Sequence, residues 1–266
     1  MPLVLAVQAW FVTLLLLTPI KLFAASDSLP CSSDDLMNLT DRGGITHSAY
    51  TAPDKTMVFQ AGYGLQYFKS GPAIQDYIQP VLFIGLPQLT ELTINIPDYY
   101  QINGAQQFGF GATGVGLRHQ FACGKNWVTT VDLSIILPSG SSTFGEKLGA
   151  ILSGIFKYSL TDKVDLSGMI SGLSQKIPST LDWQRFYSLD YSLELSYQFN
   201  PKIEVFAEIF GQGKTGPALG SNFDMDWGLL YLIKENLLFD LSFGHQFTDI
   251  DESFNYFIIA GLSLKF

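Results

Sequence analysis

A regular alternation of apolar and polar residues marks the end of the chain, residues 255–266. One set of positions carries Tyr256, Ile258, Ala260, Leu262, Leu264 and Phe266, and the other carries Phe257, Ile259, Gly261, Ser263 and Lys265. The first set suits lipid, and the second, which ends in small and charged residues, suits a lumen. The pattern predicts a strand of a transmembrane β-barrel.

The final residues also resemble the closing-strand signal that outer-membrane barrels present to their assembly machinery. Gly261, Leu264 and the terminal Phe266 carry this resemblance, which implies the barrel assembly machinery as a partner. A closing strand has to pair with the first strand, because a free strand edge in hydrocarbon leaves backbone groups unsatisfied. We therefore expect a closed barrel.

Two kinds of spacer alternate strictly between the apolar segments that follow residue 56. The tight spacers are residues 85–88, 122–125, 160–163, 200–202 and 234–236. The longer spacers, rich in Gly, Pro, Ser and Asp, lie near residues 69–77, 98–106, 138–147, 175–185, 212–221 and 248–254. Short inner turns and longer outer loops are typical of a barrel with both termini in the periplasm. We predict an all-β protein, a single twelve-stranded antiparallel transmembrane β-barrel over residues 56–266 in the bacterial outer membrane.

The predicted second strand, residues 77–84, is the weakest, because it is apolar on both faces. Pro80, Pro87 and Pro97 cluster around it, and proline removes hydrogen bonds from a strand ladder. One hypothesis is that an apolar route from lumen to lipid opens at this seam. In the simpler alternative, Pro87 and Pro97 end strands and Pro80 occupies a β-bulge.

The composition fits a membrane protein better than a soluble one. Hydrophobic residues make up 47% of the 266 residues and charged residues only 15%, which is apolar for a soluble domain. A secreted β-sandwich would also alternate, but aromatic residues cluster at the strand ends, as in a membrane barrel. The net charge of -9 argues against nucleic acid as a partner. Outer-membrane lipid and a small-molecule solute are the expected partners.

The amino terminus predicts export. Residues 3–20 are almost uninterruptedly apolar, and Ala24, Ala25 and Ser26 follow, which indicates a signal peptide over residues 1–26. No Lys or Arg precedes the apolar run, so a retained membrane anchor stays open as an alternative. Residues 27–55 are polar without a clear period, and we expect a periplasmic tail that is either a disordered lead-in or a plug in the barrel mouth.

Polar and charged residues occupy the inward positions of the predicted strands. The expected lumen-lining residues are Gln60, Gln66, Glu91, Arg118, Asp132, Lys157, Asp165, Asp190, Glu194, Glu204, Glu208, Asp224, Asp226 and Asp240. Ten of these are acids, whereas the inward bases are Arg118, Lys157 and Lys265. Rings of acids select for cations, so one interpretation is a cation-preferring lumen. The alternative is structural, with the acids hydrogen-bonded inside a narrow, filled interior.

Catalysis and metal binding are not indicated. Of the three histidines, His119 and His245 fall on the outward face near the membrane boundaries, with no outward Ser two residues away, and His47 lies in the tail. Asp190 and Glu194 form an acidic pair with no adjacent base. No cluster of His and Cys has metal-ligand spacing. We predict no enzyme activity, no metal and no cofactor.

Three short motifs resemble an outer-membrane family named for the meta-pathway of phenol degradation. They are the glycine-rich residues 109–118 (GFGATGVGLR), the turn at residues 137–140 (LPSG) and the turn at residues 160–163 (LTDK). Ala112 and Ser139 stand where that family usually has Asp and Thr. The resemblance extends from about residue 56 to the end, and it implies a barrel that passes small, often hydrophobic compounds.

Two function classes remain open from the sequence. The first is a passive channel or transporter for small, hydrophobic or aromatic molecules through an acid-rich lumen. The second is a structural or adhesive barrel with a filled, non-conducting interior. The outer loops are short and contain few aromatic residues apart from Tyr99, Tyr100 and Trp183, which weakens the case for adhesion.

Cys31 and Cys123 are the two cysteines of the chain, and we expect a disulfide between them. Export favours oxidation. Cys123 is predicted in an inner turn and Cys31 in the tail, so both should lie at the periplasmic mouth, and the intervening tail is long enough to cross it. The bond would hold the tail across the lumen. Two unpaired thiols are the alternative.

Overall fold

The computed structural model describes residues 31–69, 71–103, 107–178, 183–214, 216, 220–247 and 254–266. The predicted signal peptide lies outside the described residues. The described part contains a short helix, α1 (Leu36–Leu39), and fourteen strands. These are β1 (Met57–Phe68), β2 (Ile74–Leu86), β3 (Thr90–Asn95), β4 (Tyr99–Ile102), β5 (Gln107–Phe110), β6 (Gly114–Cys123), β7 (Trp127–Ile136), β8 (Lys147–Ser159), β9 (Val164–Pro178), β10 (Trp183–Asn200), β11 (Ile203–Gln212), β12 (Asn222–Lys234), β13 (Leu237–Gln246) and β14 (Phe254–Lys265).

The strands close into a barrel. Successive strands pair antiparallel from β6 to β14, and β1 pairs with both β14 and β2. Both β3 and β4 pair with β2, so β3 with β4 forms the third barrel strand, and β5 with β6 forms the fourth. The ring therefore has twelve barrel strands, and the predicted twelve-stranded antiparallel barrel is confirmed. Closure leaves no free edge in hydrocarbon.

The two ends of the barrel differ. At one end, called the short-turn end, the connections are residues 87–89, 124–126, 160–163, 201–202 and 235–236, and β1 begins and β14 ends there. At the other, called the long-loop end, some strands extend further than the sequence predicts. The predicted loop at residues 175–185 is mostly strand, because β9 continues to Pro178 and β10 begins at Trp183. The polar residues there extend the wall rather than ending it.

The outer surface is apolar and the inner surface polar. In β10, Ser188, Ser192 and Ser196 are buried, while the alternate residues Leu189 and Leu195 are exposed. Such exposed apolar side chains form the lipid face of a membrane barrel. Toward the long-loop end, the ring of Tyr77 on β2 contacts the rings of Tyr63 on β1 and Tyr99 on β4, as in an aromatic girdle.

Residues 31–55, called the inner segment, lie inside the ring. Leu36 and Leu39 of α1 are buried against Val58, Phe83 and Leu238 at the short-turn end. The inner segment also bonds to side chains of β3, β6, β7, β11, β13 and β14, which lie around the whole circumference. No helix among the described residues is long and apolar enough to cross a membrane.

Candidate functional site

The inner segment is joined covalently to the barrel wall. Cys31 and Cys123 form a disulfide with their Cα atoms 5.9 Å apart. Gln120, also on β6, donates from Nε2 to the carbonyl oxygen of Cys31 at 2.8 Å. Since β6 ends at Cys123, this attachment lies at the short-turn end. The inner segment is thus held at the barrel mouth before it enters the lumen.

Two of the predicted lumen acids bind the backbone of the inner segment. Glu208 on β11 accepts hydrogen bonds from the backbone N–H groups of Ile45 at 2.6 Å and Thr46 at 2.8 Å. Glu91 on β3 accepts one from the N–H of Ala52 at 2.7 Å. Both acids are 1% exposed, so they position the inner segment rather than lining an open channel.

Asp240 on β13 is paired with a base that the sequence pattern does not single out. Arg42 of the inner segment donates from Nε to Asp240 Oδ2 at 2.8 Å. Its guanidinium lies over Gly62 on β1 and Gly261 on β14, which face each other, and a Cβ atom at either glycine would overlap it. Gly261, expected only as part of the closing signal, also makes room for this ion pair. Arg42 could have been suspected as one of two bases in a polar, acid-containing tail.

Arg118 is the centre of a second ion-pair network. Its Nη1 and Nη2 atoms donate to the two oxygens of Asp41 in the inner segment, at 3.1 and 2.5 Å. The carboxylates of Glu91 and Asp132 approach the same guanidinium at 3.4 and 3.5 Å. Arg118 is 1% exposed. Removing one partner from such a buried group would leave uncompensated charges.

His47 completes this network. Its Nδ1 atom lies 3.6 Å from Asp132 Oδ2 and 3.9 Å from Asp41 Oδ2. Burial raises the pKa of the Asp41 carboxyl, but the charges of Arg118 and then of His47 lower it by more. The pKa of Asp41 is therefore below its ordinary value. Burial lowers the pKa of His47, but the neighbouring carboxylates outweigh this and hold it above its ordinary value. Ion pairs therefore hold residues 41–47 of the inner segment to β6 and β7.

The remaining predicted lumen residues fall into two groups. Lys157 donates to Asn38 Oδ1 at 2.8 Å and pairs with Asp165 at 3.0 Å. Beside them Glu194 and Glu204 line a small cavity between the inner segment and the wall. All four predicted residues thus surround the inner segment.

Other predicted residues lie on either side of that level. Gln60 donates to Thr40 Oγ1 at 3.0 Å. Toward the long-loop end, Asp190 accepts from Ser188 at 2.5 Å, and Asp224 accepts from Asn222 at 2.8 Å. Neither oxygen of Asp226 has a hydrogen-bond donor among the described residues, although the residue is fully buried. Gln66, opposite Phe257 on β14, is only half buried.

The strand pairing of the wall is irregular where the prolines suggested a seam, although hydrogen bonds from Ile96 N–H to Pro80 O (3.0 Å) and from Gly111 N–H to Asp98 O (2.9 Å) still join the strands there. Residues 78–80 of β2 have no partner in the ladders that join β2 to β3 and β4, and neither do residues 96–98, which separate β3 from β4. Residues 111–113, which separate β5 from β6, are absent from the ladders that join β4 to β5 and β3 to β6. Ile78 and Gln79 have positive φ angles of 76° and 35°, and the register with β1 shifts beside Pro80. We call this interruption, residues 78–80, 96–98 and 111–113, the wall break. Pro80 lies at the register shift, Pro97 follows the end of β3 at Asn95, and Pro87 occupies a short turn, as the simpler alternative expected.

Cavities lie on both sides of the wall break. On the outside, a recess of about 500 Å³ is lined by Ile96, Pro97 and Phe110. On the inside, a cavity of about 210 Å³ is lined by Tyr100, Phe144 and other residues. Gly111 lines both the recess and this cavity. The glycine-rich stretch that carries the family resemblance therefore thins the wall at this position.

The inner cavity continues toward the inner segment. A further cavity of about 230 Å³ is lined by Arg42, His47, Phe83 and Arg118 among others. Asn95 lines both inner cavities. The described residues thus outline a series of spaces from the outer surface to the inner segment.

Two of the histidines lie on the outer surface, apart from the network around His47. His119 Nδ1 lies 2.9 Å from Thr90 Oγ1 on the outer surface. His245 contacts Phe247, with ring centroids 6.3 Å apart. Within the described ranges, no group of three or more His, Cys, Asp or Glu residues is placed to hold a metal ion.

Comparison with known proteins identifies the family. Residues 40–266 match the family described as "Putative MetA-pathway of phenol degradation". The chain belongs to this family. No curated protein matches the chain in sequence.

Solved structures share the fold. An outer membrane channel from Pseudomonas putida F1 has a TM-score of 0.64 at 8% identity, over 82% of this chain and 98% of that one. The NanC porin has a TM-score of 0.56 at 10% identity, over 79% and 100%. The KdgM porin has a TM-score of 0.53 at 11% identity, over 79% and 99%. At these identities the likeness establishes the barrel fold alone.

Proposed function

We propose that this family member is an outer-membrane channel through which small, hydrophobic or aromatic molecules pass by diffusion, without catalysis or a cofactor. The observation that carries the proposal is the wall break, with an apolar recess outside it and a cavity inside that share Gly111. We place the short-turn end in the periplasm and the long-loop end outside the cell, as short turns and barrel termini are arranged in such barrels. The similar folds of two porins and an outer membrane channel support a channel role.

The proposed route runs through the wall rather than along the axis. A hydrophobic molecule dissolved in the outer leaflet would collect in the recess beside Ile96 and Phe110. It would pass between the backbone at Gly111 and the ring of Tyr100, where the hydrogen bond from Gly111 N–H to the Asp98 carbonyl oxygen (2.9 Å) would have to open, and reach the cavity beside Phe144. The aromatic rings offer apolar contacts there, whereas the axial path is occupied by the inner segment.

The acid-rich lumen narrows the class of solute. Glu208, Glu91 and Asp240 are bound by the inner segment. Asp190, Glu194 and Glu204, which are only half buried, remain to give the lumen its field. Acid rings favour cations over anions. We therefore propose neutral or cationic rather than anionic solutes.

The second candidate is a structural or adhesive barrel with a filled, non-conducting interior. The observation in its favour is the inner segment itself, which packs Leu36, Leu39 and Ala49 against the wall. Such a protein would admit no solute by either route. A measurement of solute entry therefore separates it from the channel.

The outer-membrane location and its partners belong to the same proposal. The outward apolar faces would contact lipid. The terminal strand, with Leu264 and Phe266, would be the part that the barrel assembly machinery recognises. Mislocalisation of a chain with Phe266 deleted would support this, and normal insertion of that chain would contradict it.

A substitution at the wall break tests the function. A Cβ atom on Gly111 would lie 3.0 Å from the Tyr100 ring, so Gly111→Phe should fill the connection between recess and cavity. The matched control is Gly172→Phe, because Gly172 lies on the lipid face of β9 with nothing within 4 Å of an added Cβ. Both variants would be produced in a Gram-negative host, at equal surface levels checked by heat-modifiable migration.

The readout is the rate at which N-phenylnaphthylamine, an apolar fluorescent probe, enters intact cells. The proposal predicts faster uptake with wild-type protein and Gly172→Phe than with no protein. With Gly111→Phe, uptake should fall to the level of cells without the protein. Equal uptake by Gly111→Phe and Gly172→Phe would contradict the route, and no uptake above background by wild type would favour the filled barrel.

A further inference from the structure

A row of basic side chains lies on the outer surface at the long-loop end. Lys147 on β8 is paired with Lys176 on β9 beside a register shift, and Lys176 is paired with Arg185 on β10. Directly paired residues of antiparallel strands point to the same face, and neighbouring strands are about 5 Å apart. Three bases on three adjacent strands are therefore side by side.

The row faces away from the lumen. Arg185 alternates with the buried Phe186 and Ser188, and it shares its face with the exposed Tyr187 and Leu189. Lys147 and Arg185 are exposed and Lys176 is half buried. The three side chains therefore belong to the membrane-facing surface of the barrel.

In the strands as described, no other outward position at the long-loop end carries a Lys, Arg, Asp or Glu side chain. Among the described strand residues, the other charged side chains either take inward positions or, like Lys234, stand beside a turn at the short-turn end. A basic side chain costs free energy against hydrocarbon, and the cost falls to near zero at the interface. Three bases gathered at one interface need a counter-charge there.

No carboxylate supplies that counter-charge in the described part of the chain. The salt bridges among the described residues include none to Lys147, Lys176 or Arg185. Glu146 lies next to Lys147 in the chain, and one acid does not balance three bases. Asp182, the other nearby acid, lies outside the described residues.

The side chains are also held in place. Arg185 donates from Nη1 to Ser174 Oγ and from Nη2 to the carbonyl oxygen of Leu148, both at 2.8 Å. Its guanidinium therefore extends across β9 to β8. The Nζ atom of Lys147 lies 4.8 Å from the ring centroid of Trp183, a cation–π contact. Ordered bases lose less freedom when they bind a ligand.

A recess adjoins this row. Its volume is about 140 Å³, and it is lined by Lys147, Trp183, Glu146 and residues 138–142 and 145. Ser139, Ser141 and Ser142 line the recess together with Lys147, although the hydroxyls of Ser139 and Ser141 also bond to backbone groups of the neighbouring loop and strands. The ammonium group of Lys147 at the edge of this recess can bind phosphate oxygens.

We infer that Lys147, Lys176 and Arg185 form a site for the phosphate groups of the glycolipid in the outer leaflet of the outer membrane. The site goes beyond the proposed channel function and shares with it only the orientation of the barrel. Guanidinium and ammonium groups bind phosphate strongly. The bases lie at the level where the headgroups of that leaflet meet the wall, and Tyr187 and Leu189 below them would contact its acyl chains.

Binding of purified lipid A to the full-length mature protein in detergent tests the site. The variant is Lys147→Gln, Lys176→Gln and Arg185→Gln together. The matched control removes three exposed bases at the short-turn end, Lys163→Gln, Lys202→Gln and Lys234→Gln. Heat-modifiable gel migration checks that both variants are folded barrels.

Wild-type protein and the control should bind bis-phosphorylated lipid A equally. The triple variant should bind it roughly a hundredfold more weakly, since each basic side chain beside an anionic lipid surface contributes about fivefold. Dephosphorylated lipid A should bind wild type as weakly as the variant does. Equal binding by the triple variant and the control, or equal binding of the two lipids, would overturn the inference. Neither result depends on solute uptake.

Discussion

Arg42 of the inner segment reaches Asp240 on β13 at 2.8 Å by lying over Gly62 and Gly261, the glycine pair where β1 meets β14. The carboxylate of Asp240 is fully buried, and the side chain of Arg42 is 8% exposed. The strand that closes the barrel and the segment that fills it thus depend on the same contact.

Arg42→Gln should destabilise the folded barrel. Loss of one partner leaves a buried charge, which typically costs about 3–5 kcal/mol. The measurement is urea unfolding in detergent or lipid. The double variant Arg42→Gln with Asp240→Asn should recover part of the loss, because it removes the stranded charge. Strictly additive losses, or a loss no larger than that of the exposed Lys202→Gln, would contradict the role given to this pair.

The disulfide predicts a simple chemical result. Unreduced protein should contain no free thiol, and reduced, denatured protein should contain two, from Cys31 and Cys123. Because the bond spans 92 residues, Cys31→Ser with Cys123→Ser should lower the free energy of unfolding by up to about 4 kcal/mol on the chain-entropy account. The same double variant should raise ion conductance, since the inner segment is no longer fixed at the mouth. Free thiols in the unreduced protein would refute the bond in solution.

Neutralising different acids should have different effects on ion flow. Asp190→Asn, Glu194→Gln and Glu204→Gln together should move the reversal potential in a salt gradient toward zero, since these half-buried acids set the field of the lumen. Glu208→Gln should instead raise conductance, because it weakens the bonds to Ile45 and Thr46. Planar-bilayer recordings distinguish the two. Unchanged selectivity in the first variant would count against an acid-controlled lumen.

The His47 network should weaken as pH rises. Its pKa is held above the ordinary value of about 6.5 by Asp41 and Asp132, against the lowering effect of burial. A raised folded-state pKa means that its stabilisation is complete below the unfolded pKa and is lost as pH rises through the folded pKa. Since 41% of the side chain is exposed, solvent makes the effect small. In the wild-type protein, conductance should increase as pH rises through the folded-state pKa of His47. This increase should be absent in His47→Gln. An equal increase in both proteins would exclude His47 as the cause.

Much of the barrel could be predicted from residue alternation. In β10, odd and even positions differ so sharply that a slip of one residue would place Asp190 and Glu194 in lipid. The short turns followed from the same reasoning. The long-loop ends of β9 and β10 could not be predicted in this way. Polar residues such as Ser174 and Lys176 extend these strands beyond the hydrocarbon, and in the sequence they resemble a loop.

The candidate site was harder to predict. The ten acids could be assigned to inward positions, but the partners of Glu208 and Asp240 are the backbone N–H groups of Ile45 and Thr46 and the side chain of Arg42, in a segment with no periodicity. The prolines signalled an irregular second strand. The wall break could not be predicted, because it depends on three neighbouring segments losing their regular pairing at the same level of the barrel. Gly111 contributes to it by having no side chain, which no chemical motif in the sequence marks.

The central claim is that apolar molecules pass through the wall break, and bromine positions in a crystal test it most directly. Crystals soaked with a bromonaphthalene would be measured at the bromine absorption edge. The account predicts anomalous peaks in the recess beside Ile96 and Phe110 and in the cavity beside Tyr100 and Phe144, and loss of the inner peak in Gly111→Phe. Bromine found only along the barrel axis, with the cavity beside Gly111 empty in wild type, would contradict it.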